Sequence, residues 1–224
     1  MYELNSSEVP LSAETTSPRF GAMLSIDLLS FDLYEGTIID PADTRIIFLA
    51  TDILRGIHAA LAYEAGDAWR IVLYRCGFLW GQKTLQQFVR QSQGAFGTKF
   101  EFISADAFLS NFVAAIAANG WGVLSFDLSK LVSNGVLRFE LRKSLFSEAL
   151  EHLRDRVDYL VAGMLAGIFS DLSRQDLSCV EITSELTGAS ASVFLVSARA
   201  RIESIQASVE SGATERELLE VLCG

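Results

Sequence analysis

Residues 121–143 read WGVLSFDLSKLVSNGVLRFELRK. Polar and apolar side chains alternate on both sides of Asn134-Gly135, which is the period of a strand with one buried face. An Asn-Gly pair between two alternating segments is a strong signal for a β-hairpin. We therefore predict two antiparallel strands whose buried face is formed by Leu124, Phe126 and Leu128 in the first strand and by Leu137, Phe139 and Leu141 in the second.

Outside this hairpin, the hydrophobic pattern predicts further strands and helices in a segregated order. Strands at 178–186 and 190–199 meet near Thr187-Gly188-Ala189 and form a second hairpin. Hairpins separated by grouped helices are typical of an α+β fold. We therefore predict an antiparallel sheet built from hairpins with helices packed on one side, and not an alternating nucleotide-binding fold. The other predicted elements are strands at 24–34 and 45–50 and helices at 51–64, 68–92, 104–119, 145–173 and 201–222, the last interrupted at Gly212.

The chain divides into three parts by composition. All three prolines fall within the first 45 residues, and residues 1–18 mix Ser, Thr, Glu and Pro as mobile segments do. We expect a flexible acidic tail at 1–18, a single domain at 19–200 and a C-terminal helical tail at 201–224.

The charge of the chain is concentrated at its ends. Hydrophobic residues make up 50% of the sequence, mean hydropathy is +0.30 and the net charge is −10. Eight acids face two arginines in residues 1–45, and five face two in 201–224, so the 155 residues between them carry a net charge of only −1. This distribution disfavours a nucleic-acid partner and polybasic attachment to a membrane. Peripheral membrane association through a partner protein stays open.

Two features of the sequence bear on where the protein is located, its cysteines and its longest uncharged run. The three cysteines are widely spaced and no secretory leader is apparent, so we expect free thiols and a cytoplasmic location. Residues 107–126, AFLSNFVAAIAANGWGVLSF, are long enough to span a bilayer. Because Asn119-Gly120-Trp121-Gly122 interrupts them, we predict a buried helix followed by a strand and no transmembrane segment.

Motifs for catalysis and metal binding are absent from the sequence. His58 and His152 are the only histidines, and neither CxxC, HExxH, GxGxxG nor a P-loop occurs. We therefore assign no catalytic residue and expect no metal. An enzyme is the least supported of three hypotheses, behind a ligand-binding module and an interaction scaffold.

Two pairs of glycines lie within predicted helices. Gly77 and Gly81 are four residues apart, as are Gly163 and Gly167, so each pair shares one helix face. Glycine costs roughly 0.5–1 kcal/mol relative to alanine in a helix interior, which indicates a close approach by another group. That group is either a neighbouring helix or a flat apolar ligand.

Aromatic residues surround these glycines. With the glycines, Trp69, Tyr74 and Phe78 form the candidate ligand-binding set, and Arg75 completes it. Charges are sparse here, so Arg70 and Arg75 must pair or reach solvent. Arg75 either pairs with an acid of a neighbouring element or meets the carboxylate of an amphipathic ligand.

These same helices resemble a known family. YRCGFLWGQKTLQQFVRQ (74–91) and YLVAGMLAGIF (159–169) resemble helices shared by the 4-vinyl reductase domain family and the TRAPP vesicle-tethering subunits. VEITSELTGASASVFLV (180–196) is similar to the closing hairpin of the 4-vinyl reductase domain, with Ser184 and Ser192 at two positions that are cysteine in that family. A metal or redox role tied to those cysteines is not carried over, and neither is the acylated TRAPP cysteine, which would fall near Lys99.

The resemblance implies a fold like that of the nitric-oxide-signalling and Golgi-transport ligand-binding domains, with an apolar cavity. It further implies non-catalytic binding of a small hydrophobic molecule, a tetrapyrrole or a lipid, as carrier, sensor or assembly factor for photosynthetic pigment proteins. The alternative is a TRAPP-like, dimeric interaction scaffold whose core is filled by its own side chains. The expected partners are a hydrophobic small molecule and a second copy or another complex subunit.

Overall fold

An antiparallel sheet of four strands forms the centre of the fold. The computed structural model describes residues 29–40, 43–96, 99–100 and 103–224. The strands are, in spatial order, β3 (Val123–Asp127), β4 (Leu137–Arg142), β6 (Ser192–Ala198) and β5 (Leu177–Thr183), and a separate two-stranded ribbon pairs β1 (Ser30–Asp32) with β2 (Thr37–Ile39). All neighbouring strands are antiparallel, so the predicted α+β class with an antiparallel sheet is confirmed.

The helices fall into three groups along the chain. They are α1 (Thr51–Ala65), α2 (Trp69–Phe96) and α3 (Ala105–Ala118) before the sheet; α4 (Leu131–Asn134), α5 (Leu145–Ala149) and α6 (Tyr159–Ser173) between its strands; and α7 (Arg199–Glu210) and α8 (Glu215–Cys223) after it. Ser104 caps α3 by accepting a hydrogen bond from the backbone N–H of Ala107. The predicted starts of α1 to α3 are therefore close to the observed ones.

The first hairpin has the predicted faces but a longer connection. Leu124 pairs with Leu141 and Phe126 with Phe139, and the two residues of β4 are fully buried. The connection is the single helical turn α4, which ends at Gly135 in the left-handed conformation (φ 61°). Glycine follows helix ends in this way because it lacks a Cβ, so Asn134-Gly135 ends a helix here and does not form a tight turn.

Helices cover both faces of the sheet. Phe194 and Val196 of β6 face a core with α2, α3 and α6, whereas Val193 and Leu195 face a second core with α7 and α8. The prediction of helices on one side, with 201–224 as a tail, is thus incomplete. Because β6 is apolar on both faces, its second face also needs cover, and the C-terminal segment provides it.

The predicted helix at 145–173 is interrupted. Ser144 caps the short α5 by accepting hydrogen bonds from the N–H groups of Phe146 and Ser147. The charged run that follows is not helical, and Arg154 has a positive φ of 50°. The prediction of one continuous helix was wrong, because α5 ends at Ala149 and α6 begins only at Tyr159, directly after the buried Asp158.

The N-terminal strands also differ from the prediction. The chain turns between Asp32 and Gly36, so the strand predicted at 24–34 yields β1 and the start of a ribbon; residues 24–28 and the tail at 1–18 lie outside the described part. Residues 45–50 form no strand beyond a single bridge between Arg45 and Ile39.

The structure bears on two sequence predictions, the one for residues 107–126 and the one for the three cysteines. Residues 107–126 form α3 and β3, and within the described ranges no helix is both long and apolar enough to cross a membrane. Cys76, Cys179 and Cys223 are all free thiols.

Candidate functional site

The glycine pairs bring α2 and α6 into backbone contact. A Cβ at Gly77 would lie 2.0 Å from the carbonyl oxygen of Leu160, and one at Gly163 would lie 2.0 Å from that of Tyr74. Gly81 and Gly167 approach the opposite helix at similarly short distances. Close helix packing therefore accounts for all four glycines, and no room for a ligand remains between the helices at these positions.

The other predicted site residues differ in their surroundings: Trp69, Tyr74 and Phe78 face the interior, whereas Arg75 is exposed. The ring of buried Trp69 packs edge-on against His58 and Tyr159, with centroids 4.6 and 5.3 Å apart. The hydroxyl of Tyr74 lies 3.0 Å from Ser178 Oγ and accepts a hydrogen bond from the N–H of Cys179, and burial raises its pKa.

Phe78 packs against the main core, and Arg75 is exposed on the outer side of α2. Arg70 forms ion pairs with Asp67 and Asp155, which agrees with the sequence-based expectation that it pairs with an acid or reaches solvent. A ligand-binding role for Trp69, Tyr74, Phe78 and Arg75 stays a prediction.

A cavity does lie at the C-terminal ends of the same two helices. It has a volume of about 670 Å³, within the range of small-molecule sites. Its apolar wall is formed by Leu85, Val89, Phe100 and Leu172. Gln86, Arg90, Lys99, Asp171 and Arg174 complete the lining. Neither the apolar pattern nor the glycine spacing identified this site, because it joins residues about ninety positions apart at the ends of two helices.

Two carboxyl groups are buried together on the other side of the molecule, where α6 begins against β5. Asp158 is fully buried and Glu181 is 4% exposed. Glu181 Oε2 accepts a hydrogen bond of 3.0 Å from the backbone N–H of Asp158, which places the two residues side by side. No hydrogen-bond partner is found for Glu181 Oε1 in the described part of the chain.

Serine hydroxyls surround this pair. Ser144 and Ser192 both donate to the carboxylate of Asp158, the second over 2.8 Å. Burial raises the pKa of Asp158 to about 6 in spite of these two donors. Burial, followed by the charge of Asp158, raises the pKa of Glu181 well above its ordinary value. Burial thus raises the pKa of both carboxyl groups, while the two hydroxyl donors stabilise the charged form of Asp158.

The same cluster contains Ser184 and Ser192, the two serines that the sequence resemblance places at cysteine positions of the 4-vinyl reductase family. Ser192 Oγ is occupied by Asp158, and Ser184 Oγ donates to the backbone carbonyl of Asp155. A serine hydroxyl does not ionise as a thiol does and is a poor metal ligand. No group of three or more His, Cys, Asp or Glu suited to a metal occurs among the described residues. This donor set does not fit a thiolate-held metal.

The comparison with known proteins concerns the fold. No protein-family model matches the sequence, and no curated protein matches it. The structure is similar to the phenol-responsive sensory domain of the transcription activator PoxR, solved with phenol, at a TM-score of 0.67 and 17% identity over 90% of this chain and 100% of that domain. The two chains share a fold. At this identity the similarity shows nothing about the ligand.

Two further structures correspond to the families that the sequence resembles. A vinyl-4-reductase family protein from Methanocaldococcus jannaschii has a TM-score of 0.46 and 15% identity over 67% of this chain and 82% of its own. A trafficking protein particle complex subunit 3 from Naegleria fowleri, covalently bound to palmitic acid, has a TM-score of 0.45 and 15% identity over 66% of this chain and 93% of its own.

Proposed function

We propose that this protein binds a small hydrophobic ligand, without transforming it, in the cavity between the ends of α2 and α6. The cavity itself carries the proposal, since its size suits a small molecule and four of its nine lining residues are large and apolar. The fold adds support, because the PoxR domain that shares it is phenol-responsive and was solved with phenol. A sensor or carrier role in the cytoplasm fits this proposal.

The class of ligand follows from the lining. Phe100, Val89 and Leu172 offer aromatic and branched surfaces to a ring or an acyl chain. A lipid chain or a single aromatic ring therefore suits the site, and a tetrapyrrole with a part in photosynthetic assembly is the larger alternative. Among the described residues, the cavity lining includes no histidine, cysteine or serine.

Filling the cavity is expected to abolish this binding. Leu172→Trp places a larger side chain into the wall, and we expect it to weaken binding of the neutral dye Nile red at least about tenfold, because the indole takes up volume that the dye would fill. A fluorescence titration measures the affinity. Leu79→Trp is the matched control, since Leu79 is also a leucine of the helix pair but is exposed and outside the lining. Equal affinities for both variants, or no binding by the parent protein, would contradict the proposal.

We propose self-association as a second candidate function. The segment leading into α1 and the outer side of that helix expose five large apolar residues, which we call the α1 face: Ile47, Phe48, Leu49, Ile53 and Ile57. His58 is the only buried residue of α1, so this helix contributes little to the core. Contiguous exposed apolar residues typically mark interfaces, and a second copy would cover both faces by two-fold symmetry.

A charge in the α1 face is expected to disrupt such a dimer. Ile53→Asp should shift the protein from dimer to monomer, because an unpaired carboxylate would be buried in the interface. Sedimentation velocity at micromolar concentrations measures the change. Val132→Asp is the control, since Val132 is 90% exposed on the distant α4. A parent protein that sediments as a monomer would exclude this candidate.

A further inference from the structure

We infer that the cavity at the ends of α2 and α6 takes an anionic amphiphile, a soluble monocarboxylate with an apolar tail. This inference rests on the proposed function and names the ligand class. Three of the nine lining residues are cationic, namely Arg90, Lys99 and Arg174, whereas Lys and Arg make up 18 of the 224 residues of the chain. The cavity lining is therefore enriched in cationic residues, although the chain as a whole has a net charge of −10.

These three cations take no part in the ion pairs of the described residues. Arg90, Lys99 and Arg174 are exposed, and none forms an ion pair within the described ranges. By contrast, Arg70, Arg138 and Arg199 are each paired with an acid. The cations at the cavity are therefore available to a ligand.

Three negative contributions oppose an anion at this site. Asp171 lines the cavity, and the C-terminal ends of α2 and α6 each add roughly half a negative charge. Against three cations, the sum leaves about one positive charge. The excess is enough to favour a single carboxylate and to disfavour a cationic head group.

The lining also determines which end of the ligand, the apolar tail or the carboxylate, lies deeper in the cavity. Leu85 is buried, and Phe100 packs edge-on against Phe88 and Phe108 with centroids 5.7 and 5.9 Å apart, so the apolar wall continues into the core. The cations lie at the exposed end. An apolar tail thus enters towards Leu85 while the carboxylate stays at the rim, where arginine can bind it with two hydrogen bonds.

Three probes with one tail test this assignment on the full chain. Isothermal titration calorimetry at neutral pH and low salt compares octanoate, 1-octanol and octylammonium. We expect octanoate to bind about tenfold more tightly than 1-octanol and octylammonium to bind most weakly. The preference of octanoate over 1-octanol should shrink as salt is added, because exposed charges are screened.

Substitutions assign the preference to the named cations. Arg90→Gln combined with Lys99→Gln should weaken octanoate binding about tenfold and leave 1-octanol unchanged, whereas Lys83→Gln, an exposed lysine of α2 outside the lining, should change neither. If 1-octanol binds as tightly as octanoate, the anionic ligand class is wrong while the proposed cavity stands. If no probe binds and Nile red does not distinguish Leu172→Trp from the parent protein, both are wrong.

Discussion

Replacing Gly163 with alanine is expected to lower the free energy of unfolding by about 3 kcal/mol, at the upper end of what overpacking costs. The added methyl group would lie 2.0 Å from the carbonyl oxygen of Tyr74 and 2.9 Å from the backbone nitrogen of Phe78. Backbone atoms cannot turn aside as a side chain can, so α2 and α6 must separate and lose contact along the whole crossing. Urea denaturation followed by circular dichroism measures the change.

Gly56 provides a matched control for this substitution. It also lies within a helix, but a Cβ there would meet nothing within 4 Å. Gly56→Ala should therefore raise the free energy of unfolding by roughly 0.5–1 kcal/mol, since alanine is the better helix former. Equal urea midpoints for Gly163→Ala and the parent protein would show that the helices do not cross as described.

Replacing Glu181 with glutamine is expected to make the protein more stable than the parent at about pH 8, with a smaller difference at about pH 5. Burial raises the pKa of Glu181, so the folded state binds its proton more tightly than the unfolded state does. This contribution to stability is fully present below the unfolded pKa near 4 and is lost as the pH rises through the folded pKa. Glutamine resembles the protonated acid and avoids the loss, which reaches up to about 1.4 kcal/mol for each pH unit in that range.

Two further variants test the assignment of the proton. Glu64→Gln, at an exposed position of α1, should show the parent's dependence of stability on pH. Ser192→Ala removes a donor to Asp158 and should cost about 1–3 kcal/mol, more at pH 8 than at pH 5, because the ionised carboxylate needs that donor. If the difference in stability between Glu181→Gln and the parent is the same at pH 8 as at pH 5, the raised pKa of Glu181 is contradicted.

The alternating segments were the most predictable part of this fold. Period-two alternation placed β3 and β4 with their buried faces, and the i, i+4 glycines marked the crossing of α2 and α6, although both a helix and a ligand remained open as the neighbour. The second face of the sheet was missed. Residues 193 and 195 of an apolar strand do not reveal what covers them, since that depends on where a distant segment packs.

The candidate site was harder to predict than the fold. Arg90, Lys99 and Arg174 have ordinary sequence surroundings, and only the packing of two helix ends brings them to one cavity. The buried acids did leave a local signal: Glu181 interrupts the apolar strand LSCVEIT, and Asp158 directly precedes an apolar helix. Both signals indicate a buried polar group without naming its partner, because that partner comes from another element.

The glycine contacts hold α6 directly against the backbone of α2. This helix has 15 residues and is therefore about 22 Å long. At the four glycines no side chain separates the backbones of α6 and α2, so neither helix can shift towards the other there. Asp158 precedes its first residue and the cavity lies at its last turn, which means that the proton pair and the ligand cavity stand at opposite ends of one stiff element.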